Sequence, residues 1–195
     1  MKYFLFLILL LPVTAFSQLV DLSLNGGVCF HKISDNGFAS NTPRNSFIGT
    51  FKAAVKHRKT EVGIGIEEQH ITETTFGYTN ELAKPLITPY IFINRLVKIP
   101  KCYLYAGIMA GLAIANVGEE KINIYKIHTP PSQDMIYQVT TGYTMGVQAG
   151  FVYNVVKRLG VGIEAAFRYV DIPAQSPYNY SILSFPITLG VHWRI

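Results

Sequence analysis

The chain has 195 residues, of which 49% are hydrophobic, 13% aromatic and only 15% charged. A soluble domain usually has about 25% charged residues, so this composition disfavours an ordinary soluble protein, while the length suits one domain. The net charge of +5 comes without a nucleic-acid-binding motif, and we therefore expect no nucleic-acid partner.

The first element is an apolar segment at the amino terminus. Lys2 precedes the apolar run 3–11, and Ala15 and Ser17 supply small residues for cleavage, so residues 1–17 are interpreted as a secretory signal peptide. An uncleaved anchor is the alternative, but the run is shorter than the about 20 residues that a spanning helix needs. No later apolar run is long enough for such a helix, and we predict one mature domain at 18–195.

The mature chain contains eight segments in which large apolar residues alternate with small or polar ones. This period of two is that of a β-strand with two different faces. The phase of segment 86–96 stays open, because it is apolar on both faces and contains Pro89. The eight segments are 20–30, 47–57, 60–71, 86–96, 102–115, 136–155, 159–170 and 184–195.

The connections between these segments alternate in length. Short turns are predicted at 58–59, 97–101 and 156–158, and long loops at 32–46, 72–85, 116–135 and 171–181. Such a chain forms an up-and-down meander, and strands of about ten residues match the length that crosses a bilayer at a tilt. A free edge inside lipid would leave backbone groups unpaired. We therefore predict that the last segment pairs with the first and closes an all-β, eight-stranded antiparallel up-and-down barrel.

The apolar face of this barrel must point either to lipid or into the lumen. A soluble ligand-binding barrel would have it inside, but an eight-stranded lumen holds only packed side chains or one small ligand. The apolar set contains many large rings, including Phe51, Phe151 and Trp193, whereas the opposite face is rich in glycine. We therefore predict a transmembrane β-barrel with the apolar face toward lipid.

Together, the signal peptide, the eight alternating strands, the glycine-rich inner face, the short turns and the long loops resemble the small OmpA/OmpX-type outer-membrane β-barrels. The resemblance covers residues 18–195 and includes no catalytic motif. It implies a porin-like, integral protein of the Gram-negative outer membrane with periplasmic termini. It also implies delivery to the barrel-assembly machinery through an aromatic residue near the carboxy terminus, and Trp193 is the candidate for this assembly signal.

Ionisable residues on the glycine-rich face predict a polar network in the lumen. A two-residue turn at 58–59 pairs Lys56 with Glu61 and places Lys52 diagonal to Glu67, and buried charges have to be paired. We interpret the network as a plug without a pore, with a narrow conduction path as the alternative. The predicted network consists of Lys52, Lys56, Glu61, Glu67, Glu164 and Arg168.

The short turns are basic. We predict that they contact anionic headgroups of outer-membrane lipids at the periplasmic rim, and ordinary solvated turns are the alternative. The residues concerned are Arg58, Lys59, Lys98, Lys101, Lys157 and Arg158.

No residue pattern points to a reaction, a cofactor or a metal. Ser184 and His192 share the inner face but lie about 26 Å apart along the strand, and His128 and Ser132 share only a loop. We therefore expect a non-enzymatic protein that acts in envelope integrity or in surface interaction through its extracellular loops, with loop 116–135 as the candidate site for a protein partner. An accessory subunit of a secretion or transport complex and a lipid-modifying enzyme are the alternatives.

The two cysteines are predicted to be free thiols. In the predicted barrel, Cys29 lies near the loop end of the first strand and Cys102 at the turn end of the fifth. Their separation is about 25–30 Å at the rise of an extended strand, whereas a disulfide needs Cα atoms within about 7 Å of each other.

Overall fold

The computed structural model describes residues 19–35, 44–70, 72–75, 78–81, 85–120, 135–173 and 180–195. The predicted signal peptide and residues 121–134 of the longest predicted loop lie outside these ranges. In the described part of the chain, no helix is long and apolar enough to cross a membrane. The strands there are β1 Leu19–Asp35, β2 Arg44–His57, β3 Thr60–Gln69, β4 Thr72–Thr75, β5 Tyr78–Glu81, β6 Leu86–Ile99, β7 Cys102–Glu120, β8 Met135–Val156, β9 Leu159–Ile172 and β10 Tyr180–Arg194.

Eight strands form a closed antiparallel barrel in the order β1-β2-β3-β6-β7-β8-β9-β10. The barrel closes between β1 and β10, which pair from Asp21 with Arg194 to Asp35 with Tyr180. Closure removes the free edge, so the backbone groups of both terminal strands are paired within the wall. The predicted eight-stranded up-and-down barrel is thus confirmed.

The connection between β3 and β6 differs from its prediction. The sequence predicted a loop at 72–85, but β4 and β5 pair with each other there as a two-stranded sheet outside the barrel. Both strands have four residues and are therefore too short to cross a bilayer, and their threonine and tyrosine content favours extended backbone.

Several barrel strands extend further toward the loops than their alternation predicted. β1 continues to Asp35 instead of ending at residue 30 and has 17 residues, and β7 continues to Glu120 instead of ending at residue 115 and has 19 residues. These lengths exceed the about 9–11 residues that cross a bilayer, so the wall continues beyond the apolar zone. The ends were missed because most of the added residues are polar or glycine and lack the alternation that marks a lipid-facing strand.

The structure resolves the phase of β6. Its side chains alternate between buried and exposed, and the inward set consists of Leu86, Thr88, Tyr90, Phe92, Asn94 and Leu96. Pro89 lies on the outer face, and the ladder between β6 and β7 is interrupted beside it: Ile87 pairs with Ile114 and Tyr90 with Gly111, with no pair between them. Because several inward residues are themselves large and apolar, the sequence of β6 could not show which face is which.

The outer wall is covered by large apolar side chains. Leu24, Ile91 and Val139 are each 66–69% exposed, and similar residues cover the middle of every barrel strand. Contiguous apolar surface of this extent is not found on soluble monomers. The wall therefore faces lipid, and the chain is a transmembrane barrel.

Arg95 is an exposed charge on this wall and pairs with Thr60, next to the β2–β3 turn.

Inward glycines make room for the large side chains of the lumen. A Cβ at Gly65 would collide with the ring of Tyr90, and one at Gly150 would collide with the ring of Tyr105. At Gly107 a Cβ would lie 2.7 Å from the Cα of Asn94, so the backbone itself leaves no space there. The glycine-rich face is thus the face that accommodates the inward aromatic rings.

The short turns join the strands at one end of the barrel, where β1 begins and β10 ends. Arg58 and Lys101 adopt positive φ angles of 53° and 65°, which tight turns impose on their residues. His57 pairs with Thr60 across the two-residue turn, so Lys56 pairs with Glu61 as predicted. Cys29 and Cys102 are free thiols, also as predicted.

Candidate functional site

The lumen contains a charge-balanced polar interior. Its carboxylates are Asp21, Glu61, Glu67 and Glu164, and its lysines and arginines are Lys52, Lys56, Arg168 and Arg194. These four acidic residues are only 4–7% exposed. Among the described residues, the four negative and four positive formal charges of the lumen cancel. Buried charges are tolerated in proteins when they are paired in this way.

Lys56 is the centre of the layer nearest the turns. Its Nζ donates hydrogen bonds to Asp21 Oδ2 at 2.6 Å and to Tyr103 Oη at 2.7 Å, and lies 3.3 Å from Glu61 Oε1. The same ammonium lies 4.0 Å from the centre of the Tyr103 ring, within the range of a cation–π contact. The structure thus brings together the two residues, Lys56 and Glu61, that the two-residue turn placed opposite each other.

Asp21 joins the two terminal strands in the same layer. Besides Lys56, its carboxylate contacts His192 Nδ1 at 3.3 Å and Arg194 Nε at 3.5 Å, and both partners lie on β10. The Nη2 of Arg194 donates to Asn154 Oδ1 at 3.0 Å. These contacts depend on barrel closure, because the register of β1 against β10 aligns Asp21 with Arg194.

Lys52 and Glu164 form the middle layer across the lumen. Lys52 Nζ contacts Glu164 Oε2 and donates to Gln148 Oε1 at 3.1 Å, while Tyr105 Oη donates to Glu164 Oε2 at 2.5 Å. The predicted contact of Lys52 with Glu67 is therefore wrong. Lysine reaches across the narrow lumen from β2 to β9, and the carboxylate of Glu67 is occupied by another cation.

Two amides connect the middle layer to the layer near the turns. Gln148 Nε2 donates to Asn94 Oδ1 at 2.9 Å, and Asn94 Nδ2 donates to Glu61 Oε2 at 2.7 Å. The side chains from Arg194 to Glu164 thus belong to one continuous hydrogen-bonded network. The prediction lacked both amides, because Asn94 lies in the strand of open phase and Gln148 carries no charge that would single it out.

A second ion pair lies closer to the loops. Arg168 contacts Glu67, which also accepts a hydrogen bond from Thr50 Oγ1 at 3.4 Å. The guanidinium carbon of Arg168 lies 5.6 Å from the centre of the Tyr90 ring. Further toward the loops, the lumen is filled by an apolar cluster of Leu86, Ala113, Ala115, Val170, Ile172 and Ile182.

The polar network leaves almost no empty space between its middle layer and the layer nearest the turns. The cavity between Asp21, Lys52, Glu61 and His192 has a volume of about 10 Å³. That is about the volume available to a single water molecule. The side chains therefore fill the lumen at this level.

A serine–histidine contact lies on the inner face near the loops. Ser46 Oγ is 3.4 Å from His31 Nδ1 and accepts a hydrogen bond from Gln69 Nε2 at 2.9 Å. The sequence did not indicate this pair. Serine and histidine residues of one segment are easily recognised as neighbours, whereas His31 lies on β1 and Ser46 on the adjacent strand β2. The predicted loop pair of His128 and Ser132 lies outside the described residues.

The structure places the predicted rim residues at the turn end. All six are exposed: Arg58, Lys59, Lys98, Lys101, Lys157 and Arg158. Trp193 lies on the outer wall with 57% exposure and pairs with Leu22 of β1 and Leu159 of β9. The turn end therefore presents cations to solvent beside an aromatic ring on the lipid-facing wall.

No protein-family model matches the sequence, and a search of curated proteins gives no significant match. The structure is similar to that of Neisserial surface protein A, with a TM-score of 0.59 and 14% identity over 89% of this chain and 97% of that chain. It also matches the attachment invasion locus protein Ail of Yersinia pestis, with a TM-score of 0.47 and 12% identity over 90% of this chain and 98% of that chain. A third match is the outer membrane protease OmpT of Escherichia coli, with a TM-score of 0.49 and 10% identity over 93% of this chain and 99% of that chain. At these identities the similarity concerns the fold alone. Because its structure matches that of the Neisserial protein, the chain has the fold of the small outer-membrane β-barrels.

Proposed function

We propose that this protein is a non-enzymatic barrel of the Gram-negative outer membrane, with periplasmic turns and termini and a plugged lumen. It acts at its two ends, in envelope integrity or in surface interaction through the extracellular loops. The observation that carries this proposal is the charge-balanced lumen, which side chains fill between Asp21, Lys52, Glu61 and His192, inside an apolar wall. Among the described residues, each lumen carboxylate contacts a cation, so these carboxylates are not free to bind a solute cation.

The contacts across the lumen argue against a conduction path. Lys52 on β2 reaches Glu164 on β9, and Gln148 on β8 reaches Asn94 on β6. An ion passing through the barrel would have to break these buried contacts, and separating a buried pair costs about 3–5 kcal/mol. The interior is therefore better suited to holding the wall together than to transport.

Single-channel recording in planar bilayers tests the plug. The wild-type protein should give no stable conductance, whereas Lys52→Ala combined with Glu164→Ala removes the bridging side chains and should produce current steps. Lys59→Ala combined with Lys98→Ala, which removes two exposed charges at the rim, should stay silent. Stable, ion-selective steps from the wild type would contradict the proposal.

The exposed cations of the turns support contact with anionic lipid headgroups on the periplasmic side. A Lys or Arg near an anionic surface contributes about 1 kcal/mol. Vesicle-binding measurements with and without anionic lipid test this role, and loss of the six charges should remove the difference between the two lipid mixtures.

Trp193 supports a role in delivery to the barrel-assembly machinery, because it is the aromatic residue of the last strand nearest the carboxy terminus and lies on the outer wall. Assembly in cells should be slower for Trp193→Leu, which keeps an apolar side chain, than for Trp193→Phe, which keeps the ring. Equal assembly rates for both variants would remove this role from Trp193.

A role in envelope integrity predicts that cells without the gene become sensitive to detergents. Complementation with the full chain should restore resistance. A chain in which residues 121–134, the part of the predicted loop 116–135 between β7 and β8, are replaced by a short turn tests whether that loop carries a partner contact, since it should assemble normally but fail to retain the partner.

One observation favours a second candidate, a lipid-modifying enzyme. The contact of Ser46 Oγ with His31 Nδ1 places a hydroxyl beside a base at a distance that nucleophilic catalysis uses, allowing for the longer contacts of free enzymes. Mass spectra of lipid A from cells with and without the protein distinguish this candidate from the non-enzymatic one.

A further inference from the structure

A concave site lies at the turn end of the barrel, between the β6–β7 turn, the end of β8 and the end of β10. Its volume is about 440 Å³. Lys101, Lys157 and Arg194 line it together with Asn154, Tyr153 and the adjacent valines. It is a local feature of the rim, since the β2–β3 turn with Arg58 and Lys59 does not contribute to it.

Backbone hydrogen bonds hold the three segments of this site together. The backbone N–H of Asn154 donates to the carbonyl of Lys101 at 2.7 Å, and the backbone N–H of Arg194 donates to the carbonyl of Arg158 at 2.8 Å. The side chain of Arg194 is further held by Asn154 at 3.0 Å. The cations therefore project from a fixed framework and do not come from independent flexible turns.

The electrostatics of the site favour an anion. Three cationic side chains line it, and no Asp or Glu does so among the described residues. The nearest carboxylate contact is that of Asp21 with Arg194 Nε at 3.5 Å, but Asp21 is buried and is also bound by Lys56 at 2.6 Å. A second concavity of about 250 Å³ adjoins the site, shares Arg194, and adds Lys98 to the local positive charge.

The site is also continuous with the lipid-facing wall. Tyr153, Val155 and Val156 line it and are 44–58% exposed on the outside of the barrel. One side is therefore apolar and the other cationic. A free phosphate ion would use only the cationic side, whereas a phospholipid would use both.

We propose that this concavity is a specific site for the phosphate group of an anionic phospholipid, with Lys101, Lys157 and Arg194 facing the phosphate and Tyr153 and Val155 contacting the lipid beneath its headgroup. The proposal rests on the proposed lipid contact of the basic turns and deepens it. It replaces a diffuse attraction around the rim by one defined position.

Native mass spectrometry of the full chain, released from micelles containing phosphatidylglycerol, tests the proposal by counting bound lipid and measuring its affinity. Lys101→Asn combined with Lys157→Gln removes two charges from the site. The matched control is Arg58→Asn combined with Lys59→Gln, because it also removes two charges and also changes one turn residue with positive φ to asparagine, which tolerates that conformation.

We expect one tightly retained phosphatidylglycerol per wild-type barrel. The site variant should bind it at least tenfold more weakly, and the control variant should stay within twofold of the wild type. Equal weakening in both variants would overturn the discrete site while leaving the diffuse contact of the basic rim in place. No weakening in either variant would overturn both.

A competition experiment distinguishes a membrane lipid from a free phosphate ester as the ligand. Soluble glycerol phosphate at millimolar concentration should leave the bound phosphatidylglycerol in place, since it lacks the apolar contact. Displacement by glycerol phosphate at a concentration similar to that of the lipid would overturn the assignment to a membrane lipid and indicate a site for free phosphate esters.

Discussion

The pair of Lys52 and Glu164 provides the sharpest test of how the lumen is stabilised. Glu164→Gln keeps the size of the side chain but removes its charge, so the ammonium of Lys52, which is only 5% exposed, loses its contact with a carboxylate. Leaving one charge of a buried pair uncompensated costs about 3–5 kcal/mol. Because Tyr105 Oη can still donate to the amide oxygen, we expect a loss near the lower limit, about 3 kcal/mol.

Two further variants separate the charge effect from other effects of substitution. Lys52→Met combined with Glu164→Gln removes both charges, and we expect it to recover about 1–2 kcal/mol relative to Glu164→Gln alone, since no buried charge remains unpaired. Lys59→Gln changes an exposed turn residue and should stay within about 0.5 kcal/mol of the wild type.

Urea unfolding in phospholipid vesicles measures these differences. The chain has a single tryptophan, Trp193, and it lies on the lipid-facing wall, so its emission should shift to longer wavelength when the barrel unfolds. If Glu164→Gln unfolds at the same urea concentration as the wild type, or if the double variant is the least stable of the four proteins, uncompensated buried charge does not control the stability of this barrel.

Three other predictions concern packing, orientation and chemistry. Gly107→Ala should destabilise the barrel by about 1–3 kcal/mol in the same urea assay, because its Cβ would meet the backbone of Asn94, whereas Gly49→Ala, in open space, should stay within about 0.5 kcal/mol. In a chain whose native cysteines are replaced by alanine, Lys59→Cys should react with a membrane-impermeant maleimide only after the outer membrane is permeabilised, and labelling of intact cells would reverse the proposed orientation. Ser46→Ala should give the same lipid A mass spectrum as the wild type; a mass change that requires Ser46 would instead establish the enzyme.

The wall of the barrel could be predicted from the sequence because its signal is local. Alternation marks the two faces of each strand, and a two-residue turn fixes the register of its two strands. The pairing of Lys56 with Glu61 followed from this register alone. Closure followed from a general requirement, namely that strand edges cannot remain unpaired in lipid.

The partners across the lumen could not be predicted in this way. Lys52 and Glu164 are far apart in sequence and lie on strands that are not neighbours in the wall, so their contact depends on the curvature and stagger of the whole barrel. The register of β2 against β3 could suggest only one ion-pair partner for Lys52, namely its diagonal neighbour Glu67. The concavity at the turn end was missed for the same reason, since it combines the β6–β7 turn with the ends of β8 and β10.

With the lumen plugged as proposed, the function of the protein lies at the two ends of the barrel, and these ends differ in charge. The short turns carry lysine and arginine and no acidic residue. Among the described residues at the loop ends of the strands, the acidic residues outnumber the two basic ones, Lys32 and Arg44. The acidic residues are Asp35, Glu68, Glu73, Glu81, Glu119, Glu120 and Asp171. Because the lumen charges cancel, the interior does not compensate either end. The proposed attraction to anionic headgroups would therefore act mainly at the turns, where the proposed concave site would hold one headgroup.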